Sequence, residues 1–134
     1  MALQYSAAVA NAKLDAIEST IGASAVLKIY SGTMPANVAA ARTGTVLATV
    51  SLPADWMAAA ASGAKAKSGT WQDTSADNTG TAGYFTIFAS DGTTAHIQGT
   101  VGVSGTDMIV DSVSFTSGQS FTINTFTITS GNYP

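Results

Sequence analysis

The second half of the chain carries the pattern that most restricts its fold. "AGYFTIFAS", "TAHIQGTVGVS", "DMIVDSVSF" and "QSFTINTFTITSG" follow one another, each rich in β-branched and aromatic residues, with "DG" and two "SG" pairs between them. Short strands repeating about every ten residues, with turn signals between them, build sandwiches or barrels, because each strand must bury one face against a second layer. One segment alternates cleanly. Ile97, Gly99, Val101 and Val103 fall on one side, and His96, Gln98, Thr100 and Gly102 on the other. Ser90-Asp91-Gly92-Thr93 is the best hairpin signal, since Asp-Gly favours the primed turns. The last segment slips phase: Phe121 and Ile123 are odd positions, Phe126 and Ile128 even. A bulge near Asn124 would return both pairs to one face.

The first half adds a helix and two more strands. From Tyr5 to Ile21 the apolar residues Val9, Ala12, Ala16 and Ile17, with Ala8 and Ile21, form a shallow stripe, and Asn11, Lys13, Asp15 and Glu18 fall mostly off it. Gly22 suits the left-handed residue that ends the helix. Such a helix packs either on its own domain or, as an arm, on another subunit. "AVLKIYSG" and "TVLATVSL" read as strands, with "TMPANVAAARTG" a loop interrupted by Pro35. In "SLPADWMAAAASGAKAKSGTWQDTSA", Ser51 or Asp55 caps a short helix near 54–61, anchored by Trp56 and Met57 and ended by Gly63. "TWQDTSA" then returns to extended structure. The expected fold is mainly β. Residues 1–134 form a single antiparallel β-sandwich domain, jelly-roll or immunoglobulin-like, with residues 1–22 as an N-terminal helix or arm.

Charge narrows the function. Charged residues make up 10% of the chain, against about 25% in an average protein. Obligate contact surfaces are depleted in charge in this way, so the exterior suits cover by identical or partner subunits. The net charge is −3, and the five cations, Lys13, Lys28, Arg42, Lys65 and Lys67, are scattered. Direct nucleic-acid binding needs several clustered cations to displace counterions and is not expected. The chain has no cysteine, hence no disulfide framework or thiolate metal site. Its start lacks the basic and continuously apolar regions of a signal peptide, and no apolar run reaches the roughly 18 residues that span a bilayer. Synthesis in a cytoplasm and no membrane partner are the expectations.

Residues for chemistry are sparse. His96 is the only histidine and sits on the polar side of its strand. No serine or threonine stands in a nucleophile motif. Asp73 with Asp77, and Asp107 with Asp111, have no glycosidase context. The "DTSADNTGT" loop lacks the spacing of a calcium hand. "GTVGVSG" lies inside a strand pattern, where glycines mark bulges or close approaches. No enzyme, cofactor or metal is expected.

Three stretches carry a resemblance: "LQYSAAVANAKLDAIESTIG", "LPADWMAAAASGAKAKSGTWQDTSA", and "GTAGYFTIFASDGTTAHIQGTVG" with the closing "TINTFTITSGN". Together they resemble a family of small virion structural proteins of tailed bacteriophages and prophages. Where that family usually reads "AGHFRIYDSAGTTCH", this chain reads "AGYFTIFASDGTTAH", without the arginine and the cysteine. The resemblance implies a virion component made in a bacterial host's cytoplasm. Its foremost expected role is capsid decoration or cementing, with the major capsid protein or other virion proteins as partners. A homo-oligomer, with a trimer favoured, is expected. A head-tail connector, neck or tail accessory protein is the nearest alternative. A carbohydrate- or receptor-binding module, using the "WQDTSADNTG" loop, is the alternative of another class. The candidate interface residues are Tyr5, Val9 and Ile17 on the helix, and Trp56, Met57 and Trp71 in the central segment. The two tryptophans fit either interface anchors or internal core.

Overall fold

A computed structural model describes residues 3–133; Met1, Ala2 and Pro134, included in the expected domain, lie outside the described residues. The chain runs α1 (Ala7–Ile21), β1 (Val26–Ser31), β2 (Val46–Ser51), β3 (Ala64–Ala66), β4 (Trp71–Asp73), β5 (Gly80–Phe88), β6 (Ala95–Gly102), β7 (Met108–Ile109), β8 (Ser114–Phe115), β9 (Phe121–Ile123) and β10 (Thr127–Thr129). It is mainly β, with an N-terminal helix.

The main sheet has the order β2-β1-β5-β6-β7, with β8 pairing the start of β5. All its pairs are antiparallel except β6 with β7, which is parallel. That pair is one departure from the expected wholly antiparallel arrangement. It also splits "DMIVDSVSF" in two: β7 extends the sheet at β6, whereas β8 turns back to β5.

The second layer is a broken ribbon. β4 pairs β9 and β3 pairs β10, both antiparallel, and the Lys67 amide donates to the Phe126 carbonyl between the two ladders. The phase slip lies at this break. Asn124 and Thr125 are exposed in succession, so Phe121, Ile123 and Phe126 all turn inward. From the main sheet, Leu27, Ile29, Phe85 and Ile87 meet Trp56, Trp71, Ile123 and Phe126 in one core cluster.

The opposite face of the main sheet is also covered, which explains why β5 is buried almost without alternation from Tyr84 to Phe88. Tyr30 and Tyr84 stack there with ring centroids 4.9 Å apart. The loop after β1 lies over that face and is held by Arg42. Its guanidinium donates to Thr86 Oγ1, to Gln98 Oε1 and to the carbonyls of Asn37, Val38 and Ala40. Five donors in a fixed fork suit Arg for organising such a loop.

Two turns differ from expectation. At the Asp-Gly pair only Gly92 has positive φ (71°), and the Gly92 amide closes on the Ala89 carbonyl, so this is not a primed two-residue turn. Asp91 instead accepts from the Thr93 and Thr94 amides and the Thr94 hydroxyl. The primed geometry occurs at Ser62-Gly63, where φ is 51° and 72°, between Ala61 and Ala64, which exchange both backbone hydrogen bonds.

Candidate interaction surface

Ser6 caps α1, accepting from the Val9 amide, and the Gly22 amide closes on Glu18 at the other end. Gly22 has the expected positive φ (94°), but its ψ of 175° lies outside the left-handed helical region. The inward face is rotated from the expected stripe. Ala10, Leu14 and Ile21 are buried, Ile17 is half-buried, and Val9 is 46% exposed.

The cause is polar. Asn11, Asp15 and Glu18 face the chain's own backbone and accept from the amides of Gly63, Ala60 and Met57. Lys65, with only 2% of its side chain exposed, places Nζ 2.7 Å from Asp15 Oδ1 and 3.1 Å from Glu18 Oε1. Burial pushes the Lys65 pKa down, but the hydrogen bonds and charges of Asp15 and Glu18 outweigh it and hold it above the usual lysine value. The Asp15 carboxyl is held below its usual value, first by the Lys65 hydrogen bond and then by the Ala60 amide. α1 is therefore docked on its own domain by a polar face.

This contact also removes the short helix expected near 54–61. The segment is a β-hairpin instead. Met57 bridges Lys67, the Ala58 amide donates to Ala66, and Ala61 bridges Ala64. Alanine's helix preference of a few tenths of a kcal/mol per residue is outweighed by such tertiary partners. Trp56, Met57 and Trp71 are fully buried, which corrects their place as surface anchors. The Trp56 indole donates to the Gly22 carbonyl at 2.9 Å, and the Trp71 indole to Ser68 at 3.1 Å. Trp71 packs on Phe126, and Phe126 meets Phe85 edge to face at 5.5 Å. With Trp71 internal, the "WQDTSADNTG" loop also offers no tryptophan face for stacking on a sugar.

Of the candidate interface residues, three remain at or near the surface. Tyr5 is half-buried, its amide donates to the Asn132 carbonyl, and the Lys13 ammonium lies 4.1 Å from its ring centre. Val9 is exposed. Ile17 lines an open groove between α1 and β6. One end, of about 450 Å³, is bounded by Ala16, Ile17 and Thr20 of the helix and His96 and Ile97 of the sheet. Past Ile17 and Ile97 it continues into a trough of about 350 Å³ over Phe85, Phe126 and Ile128, bounded by Gln98 and β10. His96, read as a polar-side residue, is exposed on the groove's rim.

The carboxylates are engaged in structure. Asp73 and Asp77 bind Thr49 of β2, Asp107 binds the amide and hydroxyl of Thr100, and Asp111 accepts from Asn124. Among the described residues, no three His, Cys, Asp or Glu side chains gather to hold a metal ion. The Gly99 position is a close approach: a Cβ there would lie 2.6 Å from the Phe85 ring. Sequence reasoning missed Arg42, Lys65 and the polar face of α1. The one available signal was that long charged side chains are scarce here, so each has a high chance of an internal partner. Comparison of the chain with family models, with curated proteins and with solved structures finds no match.

Proposed function

We propose that this chain is a structural component of a tailed-phage virion, and that it decorates or cements the outside of the capsid. It would bridge neighbouring subunits of the major capsid protein and associate with its own copies, with a trimer as the favoured state. The observation that carries this reading is where the charges go. All five cations turn to their own chain: Lys13 to the Tyr5 ring, Lys28 to the Gly92 carbonyl, Arg42 to the loop after β1, Lys65 to α1, and Lys67 to the Gly69 carbonyl. The exterior left over is dominated by Ala, Gly, Ser and Thr, with Leu3, Val9, Val103 and Ile109 as exposed larger apolar groups. Such a surface suits broad, dry contact better than steering of a charged ligand. Each 100 Å² of apolar area buried contributes about 2.5 kcal/mol before association costs, and repetition over a shell multiplies modest contacts.

Quantitative mass spectrometry of purified particles tests the reading. Hundreds of copies per particle are expected for a shell protein. Six or twelve copies would assign the chain to a neck or tail, and its absence from particles would overturn the virion reading.

A further inference from the structure

Two strand edges border the trough between α1, β6 and β10 with their backbone groups unused. In β6 the Thr100 amide points away from β5, toward Asp107, and the Gly102 carbonyl accepts from Val110 on that same outer side. Strand alternation therefore turns the N–H and C=O of Gln98 outward as well, whereas the bulge opposite Ile87 and Phe88 turns the His96 N–H back toward β5. In β10 the Phe126 carbonyl accepts from Lys67 and the Ser130 amide donates to Gly63, both toward β3. Thr127 and Thr129 consequently turn their backbone groups away from β3. Among the described residues, none of the three outward-facing sets at Gln98, Thr127 and Thr129 has a hydrogen-bond partner. Gln98, Thr127 and Thr129 all line the trough, and His96 lines its continuation.

We propose that this trough binds an extended, uncharged peptide segment of a neighbouring protein by strand addition. A second main chain supplies the alternating donors and acceptors that these unpaired N–H and C=O groups need. The floor of Phe85, Ile97, Phe126 and Ile128 takes apolar side chains at every second position of that segment. The segment is uncharged because Asp107, the one charged side chain lining the trough, is already bonded to Thr100. Neither edge carries the lysine or proline that commonly guards an exposed strand. The inference deepens the contact role proposed above and rests on it. It adds the chemistry of the partner and the mode of binding.

The test uses the full chain and the capped peptide acetyl-Ser-Val-Thr-Ile-Thr-Val-Ser-amide, followed by amide-resolved NMR. Saturable shifts at Gln98, Thr127 and Thr129, with slowed hydrogen exchange at the same amides, are expected. N-methylation of alternate peptide residues in the register that faces Thr127 and Thr129 should weaken binding about tenfold or more, and in the other register less, since β10 offers two outward-facing sets and β6 one. This control leaves the protein itself untouched. Thr127→Pro removes one edge donor at a position whose amide points away from β3 and should weaken binding while the rest of the spectrum stays in place. Shifts elsewhere, equal tolerance of both methylation registers, or no binding would each overturn strand addition. Failure here with the chain still abundant on particles would sink the binding mode alone; its absence from particles would sink the virion reading.

Discussion

The two outer edges of the β layers are treated in opposite ways. At β2, the end of β4 and the loop after it close the edge. The Thr49 amide donates to Asp73 Oδ2 at 3.0 Å, the Asp77 amide donates to the Leu47 carbonyl at 2.8 Å, and the Asn78 side chain reaches the Val46 carbonyl at 2.8 Å. At β6 the closure stops at Thr100, and the backbone groups of Gln98 face the trough with those of Thr127 and Thr129. Two side chains, those of Asp73 and Asn78, and the Asp77 backbone seal one side, while a charge-poor chain leaves the other bare. An unpaired edge invites addition of another strand unless it is blocked. The contrast therefore separates a side built to end the sheet from one able to continue it.

The contrast can be broken by perturbing each side. Trp71→Ala has the largest expected effect. Trp71 begins the strand that carries the seal, and its ring packs on Phe126 beside the trough. The loss should be about 3–5 kcal/mol in denaturant unfolding, with faster exchange at both edges. Lys65→Met should cost about 2 kcal/mol by leaving Glu18 and Asp15 without their buried partner. Its exchange signature should fall on β3, β10 and the 57–63 hairpin while Thr49 stays protected. Asp73→Ala should cost about 1–2 kcal/mol and unseal β2, read as fast exchange at the Thr49 amide. Thr129→Lys sharpens the comparison from the other side: within about 0.5 kcal/mol of the parent in stability, it should guard the open edge and reduce association with particles.

The smallest expected effect is on acidification. Hydrogen bonds from the Thr94 hydroxyl and the Thr94 and Thr93 amides lower the Asp91 pKa from 3.8 to about 2. A carboxyl lowered on folding contributes stability that is complete above its unfolded value and is lost as pH falls through the folded one. The β5–β6 hairpin should therefore weaken between pH 3.8 and about 2. Thermal unfolding across that window, compared with Asp91→Asn, checks it; the variant should lack this part of the pH dependence.

Much of the strand layout was legible because it rests on local alternation. β1, β2 and β6 each fall inside the segment read as a strand, β5 starts two residues before its own, at Gly80, and the odd-to-even slip at Asn124 marked a real change of facing. The 54–61 segment misled because its alanines favour helix locally, whereas the carboxylates of α1, distant in sequence, supply acceptors for an extended hairpin. The stripe on α1 was misplaced for the same reason: Asn11, Asp15 and Glu18 looked solvent-facing until Lys65 and the hairpin amides were brought to them. The surface candidates divided accordingly. Ile17 came to the groove, while Trp56, Met57 and Trp71 went inside, because large aromatic groups in a chain with few others are needed for its own core. The open edges had no sequence signal, since unpaired backbone groups are a property of which strands become neighbours.

Amide hydrogen exchange, measured on the free chain and on the chain bound to purified particles, tests most directly that the bare edge is where this protein meets its partner. The expected result is fast exchange at Gln98, Thr127 and Thr129 in the free chain and strong protection on particles, with Thr49 slow in both. Unchanged fast exchange at those three amides in a particle-bound chain would contradict it.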